Sequence, residues 1–188
     1  MQYQTYQSKL IEENHQQFLT ECERACVKLD DNFPSEDKTW TYYKYNMFVV
    51  TAGSKIFYNL FKEMQWCIRN FCQTKEPLWW GCWLNYHESN KVLDWHNHGS
   101  DYHGYISIDP KNTITEFEKW KVNNKIGQIY IGKGGHQHRV IVNEPYEGYR
   151  ITLGLDIWKN LDFYEDLQEN DDGSVTTSVL GNLCYIPC

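Results

Sequence analysis

The residues in this chain best suited to chemistry are histidines that recur in pairs. Of the seven histidines, His96, His98 and His103 stand in one short stretch, and His136 and His138 in another. In extended backbone alternate side chains share a face, so His96 and His98 could aim at one point, and so could His136 and His138. Imidazole ligates iron, zinc, copper and nickel, and a metal needs several such groups converging on it. A solitary histidine is more commonly a hydrogen-bonded structural group; two His-x-His pairs at the edges of strands point instead to a metal. Arg150 and Thr152 also share a strand face. Taken alone Arg150 reads as half of a surface ion pair, yet a planar guanidinium beside a hydroxyl also suits recognition of a carboxylate.

The elements that must position these groups fall into two halves. Ile11, Phe18, Leu19, Cys22, Cys26 and Leu29 recur at helical spacing, and Phe57, Leu60, Phe61, Met64, Cys67, Ile68 and Phe71 form one broad face over 54–72. Two amphipathic helices therefore precede the sheet, with a turn-like stretch from Asn32 to Lys38 between them. The aromatic and β-branched run from Tyr42 to Thr51 suits a strand. From Pro77 onward short strands are expected over Leu78–Tyr86, Val92–Trp95, Tyr102–Ile108, Thr113–Phe117, Gln128–Ile131, Arg139–Val142 and Tyr149–Ile157. Repeated short strands predict a barrel or sandwich. The acidic segment after Asp162 predicts a loop, and Val179, Leu180, Leu183 and Ile186 a docking segment after it.

At 188 residues the chain suits one domain, with 1–76 as helical support, 77–160 as the β core and 161–188 as a tail. Eight Trp and fourteen Tyr give it ample material for a core without disulfides. The net charge of −7 argues against nucleic acid as the main partner. The polar start lacks the apolar run of a secretory signal, and no stretch is long and apolar enough to span a membrane, so a cytoplasmic protein is expected. The scattered cysteines, Cys22, Cys26, Cys67, Cys72, Cys82, Cys184 and Cys188, read as buried free thiols, although Cys184 and Cys188 stand close enough in sequence to pair.

The stretches WLNYHESNKVLDWHNHGSDYHGYISI, ITEFE and GQIYIGKGGHQHRVIVNEPYEGYRITLGL resemble the 2-oxoglutarate- and iron(II)-dependent oxygenase superfamily, particularly small prolyl-hydroxylase-like members from phage and bacteria. The resemblance covers roughly residues 78–157. It implies a mainly β fold, a double-stranded β-helix or jelly roll of cupin-like shape buttressed by two helices. It also implies a single iron(II) ion, with 2-oxoglutarate as cosubstrate and hydroxylation of an organic substrate, a small molecule or a peptide, with release of succinate and carbon dioxide. By resemblance His96 is the proximal ligand, His138 the distal ligand, Gly127 the turn glycine, Arg150 the grip on the distal carboxylate of 2-oxoglutarate and Thr152 its hydroxyl partner. The family's usual His-x-Asp or His-x-Glu has histidine at position 98 here. The third ligand is then His98, which we favour, or Asp101, or water. His103 and His136 lie off the matched positions and read as surrounding or pocket groups. Trp80, Trp83, Tyr86, Trp95 and Tyr102 flank the site as core packing or pocket lining.

Two other readings stay open. A cupin-type metal-dependent dioxygenase or isomerase with a three-histidine site shares His-x-His and Gly135-x-x-His138, but leaves Arg150 and Thr152 without a role. A metal-free jelly-roll binding or structural module would make the histidines structural. The substrate and the oligomeric state are not legible.

Overall fold

Strand parity separates apolar from polar residues in this chain, and the architecture follows from it. A computed structural model describes residues 2–32, 42–159 and 183–186. Its larger sheet is six-stranded, in the order β1 (Tyr3–Gln7), β6 (Gln128–Lys133), β3 (Tyr102–Asp109), β8 (Arg150–Trp158), β2 (Leu78–His87) and β9 (Leu183–Ile186). Along β8, Ile151, Leu153, Leu155 and Ile157 join the main apolar core, whereas Arg150, Thr152, Gly154 and Asp156 fall on the opposite face. In β3, Ile106 and Ile108 go with the aliphatics and His103 and Tyr105 oppose them; in β2, Trp80, Cys82 and Leu84 oppose Trp83 and Asn85.

The aliphatic face is covered by helices α1 (Lys9–Glu13), α2 (His15–Asn32), α3 (Met47–Val50) and α4 (Lys55–Cys72). The helical spacing holds: α2 buries Phe18, Cys22, Cys26 and Leu29, and α4 buries Phe57, Leu60, Met64, Cys67 and Ile68, all in one cluster with the sheet. Each of the Phe, Leu, Ile and Met side chains contributes roughly 1.5–3 kcal/mol on leaving water, so this layer anchors the fold. Gln73, in the left-handed region at φ 51°, ends α4.

The polar face is covered by a three-stranded sheet, β5 (Lys121–Asn123), β4 (Thr113–Phe117) and β7 (His138–Val142), in the order β5-β4-β7. Tyr105, Tyr130, Phe117 and Val122 fill one part of the space between the sheets. All strand pairs are antiparallel. Two facing antiparallel sheets make the expected jelly roll.

Several expectations are corrected. The run Tyr42–Thr51 holds helix α3 rather than a strand, because Asn46 caps it by accepting from Phe48 N and its Met47 and Phe48 pack into the core, which overrides β-propensity. Val92–Trp95 forms no strand and meets β7 only through irregular pairing, Val140 N to Leu93 O at 3.0 Å. Strands β1 and β5 were not expected. Leu183 and Ile186 do dock, as β9 on β2, while 33–38, the acidic segment, Val179, Leu180 and Cys188 lie outside the described residues. Cys22, Cys26, Cys67 and Cys82 are buried thiols outside any disulfide, as expected, whereas the Cys72 and Cys184 thiols are only half-buried. No helix among the described residues is long and apolar enough to cross a membrane.

Candidate functional site

The site begins with a single isolated β-bridge. His96 and His138 exchange both backbone hydrogen bonds, His96 N to His138 O at 3.0 Å and His138 N to His96 O at 2.8 Å. Residues paired in this way project to the same side, and the two imidazole centroids lie 4.3 Å apart. His98 lies 5.3 Å from each of them. His103 enters from β3, stacked 4.1 Å from His98 and 4.6 Å from His138. Ligand nitrogens of His96, His98 and His138 fall within 4.8 Å of one another, a set that could hold a metal ion.

The hydrogen bonds behind the rings fix their tautomers. The Nδ1–H of His96 donates to Asp94 O (2.6 Å), that of His138 to His136 O (3.1 Å) and that of His103 to Leu155 O (3.1 Å). A carbonyl only accepts, so each Nδ1 carries the proton and each Nε2 keeps its lone pair for a metal. His98 Nδ1 faces Asp156 Oδ2 at 3.1 Å to the same effect. Among the described residues the buried Nε2 of His103 has no hydrogen-bond partner. Such an orphan is costly unless a ligand satisfies it, so the donor set fits a metal. Burial pushes the pKa of His138 down to about 2 and that of His103 to about 4, helped by their imidazole neighbours, and lowers that of His96. Neutral rings are the form that ligates.

Asp156 lies behind this cluster, 2% exposed. Burial raises its pKa, but the nearby His103 and His98 rings, with a hydrogen bond from His98, outweigh burial and hold the carboxyl below the usual range. Ser100 Oγ donates to Oδ1 at 2.8 Å and Tyr43 OH to Oδ2 at 3.1 Å. His103 Nδ1 is 3.7 Å from Oδ1, too long for a hydrogen bond, so the Leu155 carbonyl is its acceptor and the carboxylate a nearby charge.

At the other end of β8, Arg150 is 4% exposed, and among the described residues no carboxylate lies within 4.0 Å of it. Its Nε has no partner among the described residues, and burial lowers its pKa to about 10. One guanidinium nitrogen donates to Thr152 Oγ1 at 3.2 Å, and Asn85 Nδ2 donates to the same oxygen at 3.3 Å. With both lone pairs engaged, the Thr152 hydroxyl has its own proton left to donate. Arg150, Thr152, Asn85 and Tyr105 share a partly open pocket with His96, His98, His103 and His138. An unpaired buried guanidinium beside a free hydroxyl donor fits a carboxylate.

The structure thus brings His96, His98, His138, Arg150 and Thr152 to one pocket. Asp101 does not join it; its carboxylate accepts from Lys159 N at 2.9 Å. His136 turns toward Gln2 and the Trp120 ring. Of the flanking aromatics Trp83 lines the pocket, while Trp80 and Tyr102 belong to the helix-side core and Trp95 packs under Arg139. His103 lines the pocket beside the cluster, in line with its reading as a surrounding or pocket group, whereas the sequence reading missed Asp156 altogether. Parity held a signal for Asp156: Arg150, Thr152, Gly154 and Asp156 alternate along one strand.

No protein-family model and no curated protein matches the chain. Among solved structures, a cupin-2 domain protein from Shewanella frigidimarina is 17% identical, covering 41% of this chain and 69% of its own, with a TM-score of 0.32. A non-heme monooxygenase, ThoJ in complex with nickel, is 12% identical and covers 78% of this chain and 69% of its own, with a TM-score of 0.54. The latter overlap shows a shared fold. The chain is a jelly roll with a histidine cluster between its sheets.

Proposed function

We propose that the chain is an iron(II)- and 2-oxoglutarate-dependent oxygenase that hydroxylates an organic substrate, a small molecule or an amino-acid side chain in a peptide, with release of succinate and carbon dioxide. The observation that carries this reading is one pocket holding three convergent imidazoles and, across it, a buried arginine without a counter-ion among the described residues. His96, His98 and His138 would hold the iron, which supplies the oxygen activation that no side chain can perform. Arg150 would hold the distal carboxylate, with Thr152 donating its hydroxyl proton. Trp83, Leu93 and Val140 line the pocket and would keep water from the reacting carbon.

Anaerobic titration with iron(II) and then 2-oxoglutarate tests the assignment. Saturable binding of both, with a weak visible absorption appearing only when both are present, is expected. Iron binding without any affinity for 2-oxoglutarate would overturn the cosubstrate. That outcome would favour a second reading, a cupin-type dioxygenase or isomerase with an all-imidazole centre, which the orphaned Nε2 of His103 supports as a further ligand. Failure to bind any divalent metal would leave the metal-free binding module.

A further inference from the structure

The inner face of β8 carries two buried charges of opposite sign, Asp156 and Arg150. Six residues of strand set their backbones ~20 Å apart, at roughly 3.3 Å per residue, so they do not neutralise each other. Arg150 awaits an anion. Asp156 has no lysine or arginine within 4.0 Å among the described residues; its partners are His98, His103, Ser100 and Tyr43. A carboxylate buried in this way is costly unless a cation compensates it, directly or through a polarised neighbour.

We infer that Asp156 is the anionic member of the metal centre, acting through His98 as a positioning residue and standing in for the carboxylate that position 98 lacks. This rests on the metal reading proposed above. His98 Nδ1–H lies 3.1 Å from Asp156 Oδ2, which leaves Nε2 as the nitrogen free to ligate alongside His96 and His138. A carboxylate behind a ligating imidazole fixes its tautomer and raises its basicity. The charge that a carboxylate ligand would place on the ion sits one imidazole further out, and the three-imidazole set keeps a nearby negative charge. His98, His103 and Asp156 also lie close enough together to suggest a second ion of their own. The Nδ1–H bonds of both rings argue against it, because those nitrogens are engaged as donors.

Zinc(II), redox-silent and diamagnetic, is the probe. Calorimetry on the full chain should give one site, with Asp156→Asn weakening it roughly 10- to 100-fold, the range seen when such outer partners are lost. Asp156→Asn should also raise the iron(III)/iron(II) potential, since the oxidised ion loses a nearby negative charge. Ser100→Ala, which removes a hydrogen bond and keeps the charge, should leave the potential near that of the wild type; a purely structural role for Asp156 would move both variants alike. If Asp156→Asn does not fold, ¹⁵N spectra of the unaltered protein still decide: His98 should carry its proton on Nδ1 and bind zinc through Nε2. Undiminished zinc affinity in Asp156→Asn, zinc bound through His98 Nδ1, or two zinc ions per chain would overturn the role of Asp156. Absence of zinc binding by the unaltered protein would instead overturn the metal centre itself.

Discussion

Arg150 is a cation held out of water with hydroxyl and amide neighbours but no counter-ion among the described residues. Replacing it with an apolar side chain of similar length therefore has two opposite effects. Arg150→Met should not lower, and should slightly raise, the melting temperature of the ligand-free protein, because an uncompensated buried charge disappears. It should weaken 2-oxoglutarate by about 2–5 kcal/mol, the cost of removing one partner of a buried charge pair, and leave metal affinity unchanged. Calorimetry and thermal melts on the same sample check both, and an unchanged cosubstrate affinity would reject the assignment of Arg150. His138→Ala should do the reverse: iron occupancy by elemental analysis should collapse, since the residue sits at the bridge that sets the cluster. Retained iron would mean that the ligands are misassigned. These residues were legible because parity and pairing are local. The exact approach of His103 was less so, since the stretch from 98 to 103 passes through a bend before β3 begins, so its direction within the pocket depends on where the strand starts.

At the level of elements, the layout rests on a few positions where the backbone has no alternative. Gly127 has a φ of +76°, and a Cβ there would meet Ser8 O at 2.8 Å and Gln7 Nε2 at 2.9 Å. Ser8 N donates to Gly127 O and Gly127 N to Ser107 O, so this turn ties β1, α1 and β3 to the start of β6. Gly127→Ala should cost about 1–3 kcal/mol of stability, from backbone strain and crowding, while the folded fraction binds metal as before. Chemical denaturation checks it; an unaltered midpoint would show that the turn relaxes freely. The long amphipathic helices and most strands of the second half were legible because burial imposes its period on the sequence. β1 escaped because its polar residues give no apolar alternation: Tyr3 stacks inward on Tyr130 and Trp120 while Tyr6 packs toward Trp66. α3 escaped because its four residues are held by the Asn46 cap and by packing, neither of which leaves a period to count.

Over the whole molecule, several imidazoles are buried in their neutral form, and that couples folding to pH. Burial, with smaller contributions from neighbouring positive groups, lowers the pKa of His87 and His103 to about 4 each, and that of His138 to about 2. In the unfolded chain all three titrate near 6.5. Between pH ~6.5 and ~4 the unfolded chain thus binds protons that the folded chain refuses, and stability falls as pH falls, by roughly 1.4 kcal/mol per pH unit for each such histidine. Asp156, held below its unfolded value, extends the loss in the same direction at lower pH. A bound metal needs the same neutral rings, so ions and protons compete: zinc should raise the denaturation midpoint strongly near pH 7.5 and weakly near pH 5. Urea denaturation with chelator and with zinc, at both pH values, measures the two effects together. A chelated protein equally stable at both would mean that the rings are solvated, and a zinc effect independent of pH would place the ion away from the histidines.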